Sequence, residues 1–204
     1  MKISLTRKNL SKKKIYVLLL SLVVLITTVL LILPILPSLP FLLNKPDNKI
    51  EYDIPTSYAI SVSDNPKPIP SGHRLVIPKI GVDTPIVDGN NIDILNSVEG
   101  VWREIKSRSP ETPGNMTLAG HRFQYLPPNS TTFYNLDKLE EGDNIIVFWD
   151  SKTYIYKIFK TFEVTPDHVE ILNDSDIEHE ITLYTCTPVY TSTDRLVVKA
   201  KLVT

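Results

Sequence analysis

The sequence contains a single cysteine, and this scarcity restricts both its stabilisation and its chemistry. One cysteine cannot form an internal disulfide, so a disulfide-stabilised fold is excluded. The sequence also lacks paired cysteines and the H-E-x-x-H pattern of zinc peptidases, so we expect neither a metal site nor a cofactor. It has no low-complexity repeat and no internal repeat of solenoid period, which excludes repeat architectures.

Net charge is nearly absent, because 22 basic and 23 acidic residues give −1 at pH 7. This average hides a basic tip at residues 1–14, which contain no acidic residue. The basic residues of this tip are Lys2, Arg7, Lys8, Lys12, Lys13 and Lys14. A basic tip on a mildly acidic body is not the pattern of a nucleic-acid-binding protein, so no nucleic acid is expected as a partner.

Charged residues are missing altogether from residues 15–33, which form an uninterrupted apolar run. At ~1.5 Å per residue such a helix spans about 30 Å, the thickness of a bilayer's hydrocarbon core. The basic tip predicts a cytoplasmic N-terminus by the positive-inside rule, with the rest of the chain extracellular. The alternatives are a cleaved signal peptide and a buried core helix. A signal peptide has a shorter apolar region and small residues at its cleavage site, and the flanking cations disfavour a core helix.

Residues 34–70 are rich in proline, serine, asparagine and aspartate, as in LPILPSLP and SDNPKPIP. This composition predicts an extended extracellular spacer. An alternative is that apolar residues between Tyr52 and Val62 form a short strand or helix packed on the following domain. We expect the folded domain to occupy residues 71–204.

Short apolar runs separated by turn signals dominate residues 71–204. Strands are predicted at 75–78, 85–87, 115–119, 144–149, 153–164, 180–185 and 195–203, and helical spacing is found at 92–98. Asp150–Lys152 predicts a turn, and Leu196, Val198 and Ala200 share one face of the last strand. Many short strands and few helices indicate a mostly β fold, a sandwich or a closed barrel, behind one transmembrane helix.

An unpaired thiol outside the cell is either buried and inert or kept for its reactivity. Cys186 ends the apolar strand TLYTC, His121 follows the strand and glycine of TLAGHR, and Arg195 begins the strand DRLVV. Each side chain stands at a strand end, where it can line a cleft. Together they provide a nucleophile, a proton carrier and a fixed cation, the groups that acyl transfer requires.

Each of these residues also has a purely structural interpretation. His121 is alternatively a hydrogen-bonded histidine at a strand end, and Arg195 alternatively forms a surface ion pair with Asp194. The remaining histidines lie in polar contexts that predict surface positions.

These segments resemble the sortase family of cysteine transpeptidases. TLYTC is similar to the TLxTC signature, TLAGHR to the segment holding the catalytic histidine, and TDRLVV to the arginine-led last strand. The resemblance covers residues 71–204 and implies an eight-stranded β-barrel. It implies that Cys186 attacks, His121 transfers protons and Arg195 stabilises the oxyanion.

The resemblance also implies a substrate-binding surface that includes Leu118, Ala119 and Thr185. The implied partners are secreted proteins with a C-terminal LPxTG-like sorting motif, and an amine of a peptidoglycan precursor or of a pilin lysine. The short loop after Cys-Thr-Pro is typical of class D and E sortases. Two alternatives remain at this point: another exported cysteine peptidase, and a membrane-tethered β-barrel binding module with an inert thiol.

Overall fold

The structure is a computed structural model that describes residues 11–54, 62–124 and 129–203. Its α-helices are α1 (Lys12–Ile32) and α2 (Leu39–Leu43). Its strands are β1 (Ile50–Tyr52), β2 (Val62–Lys67), β3 (Arg74–Ile77), β4 (Val82–Gly89), β5 (Val101–Glu104), β6 (Gly114–Ala119), β7 (Asn144–Trp149), β8 (Lys152–Val164), β9 (His179–Thr187) and β10 (Asp194–Leu202). Single 3-10 turns occur at Leu36–Ser38, Pro78–Ile80, Ile92–Asn96, Leu136–Lys138 and Val169–Leu172.

Strands β3 to β10 close into an eight-stranded barrel in the order β10-β8-β7-β3-β4-β5-β6-β9. The pairs β4–β5 and β6–β9 are parallel and the other pairs antiparallel. Aliphatic side chains from every strand fill the interior, as expected for a barrel of this size. The predicted mostly β barrel fold is therefore confirmed.

Local sequence determines several of these elements. Asp150 and Ser151 have φ angles of 46° and 62°, the left-handed conformation that a two-residue hairpin turn between β7 and β8 requires. On β10, Leu196, Val198 and Ala200 point into the core, as their alternation predicts. Asn91 caps the 3-10 turn at Ile92–Asn96, because its side chain accepts a hydrogen bond from the Asp93 amide at 3.0 Å.

Strand β5 was not predicted from the sequence, because half of it is charged. Its Arg103 is nevertheless buried, since the guanidinium binds both carboxylate oxygens of Asp88 at 2.7 and 2.9 Å. The same guanidinium lies 4.9 Å from the centroid of the Trp149 ring. These contacts bring distant parts of the chain together, so local patterns do not show them.

Part of the segment expected to be a spacer packs on the barrel instead. Strands β1 and β2 pair in parallel, and Ile50, Tyr52 and Ile54 pack against the outer surface of the barrel wall. The Tyr52 hydroxyl also donates to Asp83 at 2.9 Å. The packed unit thus includes residues that the expected boundary at residue 71 places in the spacer. Tyr58 and Ile60, from the alternative prediction, lie outside the described residues.

Helix α1 is a 21-residue apolar helix with no buried residue, long enough to cross a membrane. It coincides closely with the apolar run at 15–33. Residues 1–10 of the basic tip lie outside the described residues.

Candidate active site

The registers of β6, β9 and β10 bring His121, Cys186 and Arg195 to the same end of the barrel. Arg195 pairs directly with Cys186 across the antiparallel β9–β10 ladder. In the parallel β6–β9 ladder Ala119 pairs with Tyr184, so His121, two residues on, comes level with Cys186. Neighbouring strands lie about 4.8 Å apart, so Cys186 is flanked by the histidine on one side and the arginine on the other.

Strand alternation determines which way these side chains face. Leu118, Leu183 and Leu196 point into the barrel core. His121 and Cys186 lie three positions after Leu118 and Leu183, and Arg195 lies next to Leu196. All three side chains therefore face outward from the barrel. All three side chains are half-buried, which suits reactive groups in a cleft.

The three residues line one cleft of about 160 Å³. Its floor comes from the strand ends and one wall from the 3-10 turn at Ile92–Asn96. The lining residues are Ile92, Asp93, Leu95, Asn96, Ala119, Gly120, His121, Tyr184, Thr185, Cys186 and Arg195. A larger cavity of about 630 Å³ lies beside β1 and β4, but none of the three residues lines it. We place the candidate site in the smaller cleft, because the thiol, the imidazole and the guanidinium converge there.

Hydrogen bonds fix the backbone that carries His121. The buried Thr185 hydroxyl donates to the Gly120 carbonyl at 2.7 Å. The Phe133 amide donates to the His121 carbonyl at 2.9 Å. The backbone around the histidine is therefore fixed by Thr185 of β9 and by Phe133 of the loop that follows His121.

The imidazole of His121 keeps an uncommitted nitrogen. Its Nε2 is buried and has no hydrogen-bond partner among the described residues. Leaving a buried polar atom unpaired costs about 1–3 kcal/mol, so this atom needs an explanation. The acid–base role expected for His121 would explain it, because that role requires a nitrogen free to exchange a proton.

Arg195 is anchored by backbone rather than by an acid. Its Nη1 donates to the carbonyls of Asp194 at 2.9 Å and Ser192 at 3.3 Å. The Asp194 carboxylate instead accepts from Thr193 at 2.7 Å, so the alternative ion pair is not formed in the described part of the chain. One edge of the guanidinium is thus fixed, and its other N–H groups have no partner in that part.

Two further residues complete the surroundings. Arg122 follows His121 and is buried, and its Nη2 donates to Asp137 at 2.6 Å. Burial lowers the pKa of this guanidinium, although nearby Asp137 opposes the change. Tyr184 lines the cleft, and burial raises the pKa of its phenol to about 12, so it stays neutral at physiological pH.

Two of the three expected substrate-binding residues line the cleft, and the third does not. Ala119 and Thr185 line the cleft. Leu118 does not line it, because it is fully buried in the barrel core, one position before the outward-facing Ala119. Sequence reasoning missed Tyr184 and Leu95 as lining residues. The alternation that places Tyr184 beside Ala119 was the available signal for the tyrosine.

Replacing Gly120, between Ala119 and His121, by a larger residue is expected to destabilise the fold. A Cβ atom at this position would lie 2.8 Å from the ring of Phe133, which is fully buried. Gly120→Ala should therefore lower the free energy of unfolding by about 1–3 kcal/mol, as overpacking typically does. Denaturant titration measures this change. Gly72→Ala is the control, since no described atom beyond its own two chain neighbours lies within 4 Å of its Cβ position. Equal stability of the two variants would contradict the prediction.

Comparison with known proteins shows which family the sequence matches. Residues 75–203 match the family model described as the Sortase domain. Sortase SrtE2 of Streptomyces coelicolor is 36% identical over 133 residues, which cover 59% of this chain and 51% of the relative. Sortase D of Bacillus subtilis is 32% identical over 114 residues, covering 56% and 53%. The chain thus spans about half the length of these curated relatives.

Solved structures share the fold. A Clostridium perfringens Sortase D5 transpeptidase superimposes with a TM-score of 0.56 at 32% identity, covering 66% of this chain and 79% of that one. A Clostridium perfringens sortase C, whose structure is described as being with the C-terminal cell wall sorting motif, gives a TM-score of 0.56 at 29% identity, covering 64% of this chain and 69% of that one. The relatives from classes D and E agree with the class predicted from the short loop after Cys186.

Proposed function

The chain belongs to the sortase family, and from this premise we propose that it is a cysteine transpeptidase. Its substrates are secreted proteins that carry a C-terminal LPxTG-like sorting motif, which it cleaves between threonine and glycine. The observation that carries the proposal is the placement of Cys186 between His121 and Arg195 in one cleft.

In the first half-reaction His121 accepts the thiol proton, and the Cys186 sulfur attacks the carbonyl carbon of the motif's threonine. The carbonyl oxygen becomes an oxyanion, which the partly unoccupied guanidinium of Arg195 stabilises. The C–N bond then breaks, and His121 returns the proton to the departing glycine amine. The product is a thioester on Cys186.

In the second half-reaction a primary amine attacks the thioester carbonyl, and His121 removes its proton. The C–S bond breaks, the proton returns to the thiolate, and the new bond is an amide. The acceptor amine belongs to a peptidoglycan precursor or to a pilin lysine. Ala119 and Thr185 form the wall beside the reacting threonine, and Thr185 also holds the Gly120 carbonyl.

Helix α1 supports a cell-membrane location. All its side chains lie outside the protein core, and it is apolar enough to cross a bilayer. We propose residues 15–33 as an uncleaved single-pass anchor with residues 1–14 in the cytoplasm. Residues 34–70 then connect the anchor to an extracellular catalytic domain at 71–204, with part of the connection packed on the barrel.

A peptide assay tests this function directly. The full-length protein in detergent is incubated with a peptide containing an LPxTG motif and an excess of a primary amine. Mass spectrometry should show cleavage between threonine and glycine and an amide of the N-terminal product with the amine. Binding without cleavage, across a series of motif variants, would favour the binding-module alternative.

A further inference from the structure

The juxtamembrane segment, residues 34–44, has an apolar side that the described residues leave uncovered. Its four most prominent aliphatic side chains are exposed by about half or more: Ile35 by 51%, Leu36 by 47%, Leu42 by 66% and Leu43 by 77%. Such side chains are rarely clustered on a water-facing surface unless something covers them. The segment consists of the 3-10 turn at Leu36–Ser38 followed directly by α2.

The opposite side of this segment is held by the barrel. Pro37 is buried, and the Tyr190 hydroxyl donates to the Pro34 carbonyl at 3.2 Å. Pro40 and Phe41 share a cavity of about 260 Å³ with Tyr134 and other barrel residues. The barrel therefore fixes which side of the segment faces outward.

The position of the segment along the chain identifies what covers its apolar side. The uncharged run at 15–33 has 19 residues, which at ~1.5 Å per residue span about 30 Å and already cross the hydrocarbon core. The segment starts where α1 ends, so it begins at the bilayer surface. No charged side chain occurs from Ile15 to Asn44, and the first one after α1 is Lys45. In a spacer that extends into water, charged side chains would be expected, so their absence indicates contact with lipid.

We propose that residues 34–44 lie in the boundary between headgroups and acyl chains of the leaflet where α1 emerges. Ile35, Leu36, Leu42 and Leu43 enter the lipid, while the other side of the segment carries the barrel. Apolar faces of this kind insert about 5–10 Å below the headgroups. The proposal rests on the membrane anchor proposed above. The segment would then hold the barrel against the membrane surface.

This placement has a consequence for the candidate active site. Tyr190 belongs to the connection between β9 and β10, which links Cys186 to Arg195. Because this connection contacts Pro34, the rim of the cleft is held at the level of the headgroups. The cleft is then positioned for sorting motifs that are presented close to the membrane surface.

Nitroxide labels at single cysteines test the depth of the segment. The full-length chain with Cys186→Ala is reconstituted into phosphatidylcholine–phosphatidylglycerol vesicles. Labels are attached, one per protein, at Leu25→Cys in α1, at Leu43→Cys in the segment and at Ile105→Cys. Ile105 is the matched control, an aliphatic residue 55% exposed just after β5, at the barrel end opposite the cleft. Collision with oxygen, which concentrates in lipid, is compared with collision with a water-soluble nickel chelate.

The label at residue 43 is expected to favour oxygen at a depth between that of residue 25 and the aqueous label at residue 105. If residue 25 is deep but residue 43 is as aqueous as residue 105, the interfacial proposal is wrong and the anchor survives. If residue 25 is also aqueous, the anchor fails and the interfacial proposal fails with it. Thermal unfolding of each labelled protein confirms that its barrel is intact.

Discussion

Cys186→Ala is expected to abolish cleavage and transpeptidation of the motif peptide, lowering turnover by ~10⁴-fold or more. Removal of an enzyme's nucleophile leaves only binding and oxyanion stabilisation, which accounts for a loss of this size. The fold should be unaffected, because Cys186 is half-buried and faces outward from the barrel rather than into its core. The thermal unfolding midpoint should therefore remain near that of the unmodified protein.

Two measurements make this prediction decisive. Because Cys186 is the chain's one thiol, a thiol-reactive probe on the folded protein reports on this residue alone. Prior treatment with the motif peptide, before any acceptor amine is added, should block labelling by forming the thioester. Continued cleavage by the alanine variant would refute the nucleophile assignment. A thiol that reacts only after unfolding would identify the inert thiol of a binding module.

The fold was predictable from the sequence wherever the information is local. The apolar run coincides with α1, the Asp150–Ser151 turn joins β7 to β8, and the alternation on β10 points its aliphatic residues inward. The barrel closes in agreement with the family resemblance. Elements stabilised by distant contacts were not predictable in this way. The burial of Arg103 in β5 depends on Asp88, which precedes it by 15 residues.

The candidate site was likewise predictable where the information is local and not where it depends on distant contacts. His121, Cys186 and Arg195 were predicted as site residues from three strand ends, and all three line one cleft of the structure. Leu118 was grouped with Ala119 because the two are neighbours in the motif, but adjacent residues in a strand face opposite sides. Arg122 was missed as a structural residue, because its role depends on burial and on a hydrogen bond to Asp137.

Arg195→Lys is expected to lose most of the activity although it keeps the positive charge. Backbone carbonyls already occupy Nη1 of Arg195, so its action on substrate depends on the other N–H groups of a rigid fork. A lysine ammonium is a single compact group, so it cannot bind the two backbone carbonyls and reach the oxyanion at the same time. Losing one well-placed oxyanion donor typically lowers turnover ~100–1000-fold, equivalent to about 3–4 kcal/mol. Arg195→Ala should lose at least as much.

Arg74→Lys is the matched control, because Arg74 is half-buried and pairs with Asp83 away from the cleft. This variant should keep its turnover, whatever small change in stability the altered ion pair brings. Both Arg195 variants should unfold close to the unmodified protein, since among the described residues the Arg195 side chain bonds only to carbonyls of nearby residues. Steady-state kinetics with the motif peptide separate the possibilities. Near-full turnover of Arg195→Lys would show that charge alone suffices. Unfolding of both Arg195 variants would show that Arg195 stabilises the β9–β10 connection, and the oxyanion assignment would then be wrong.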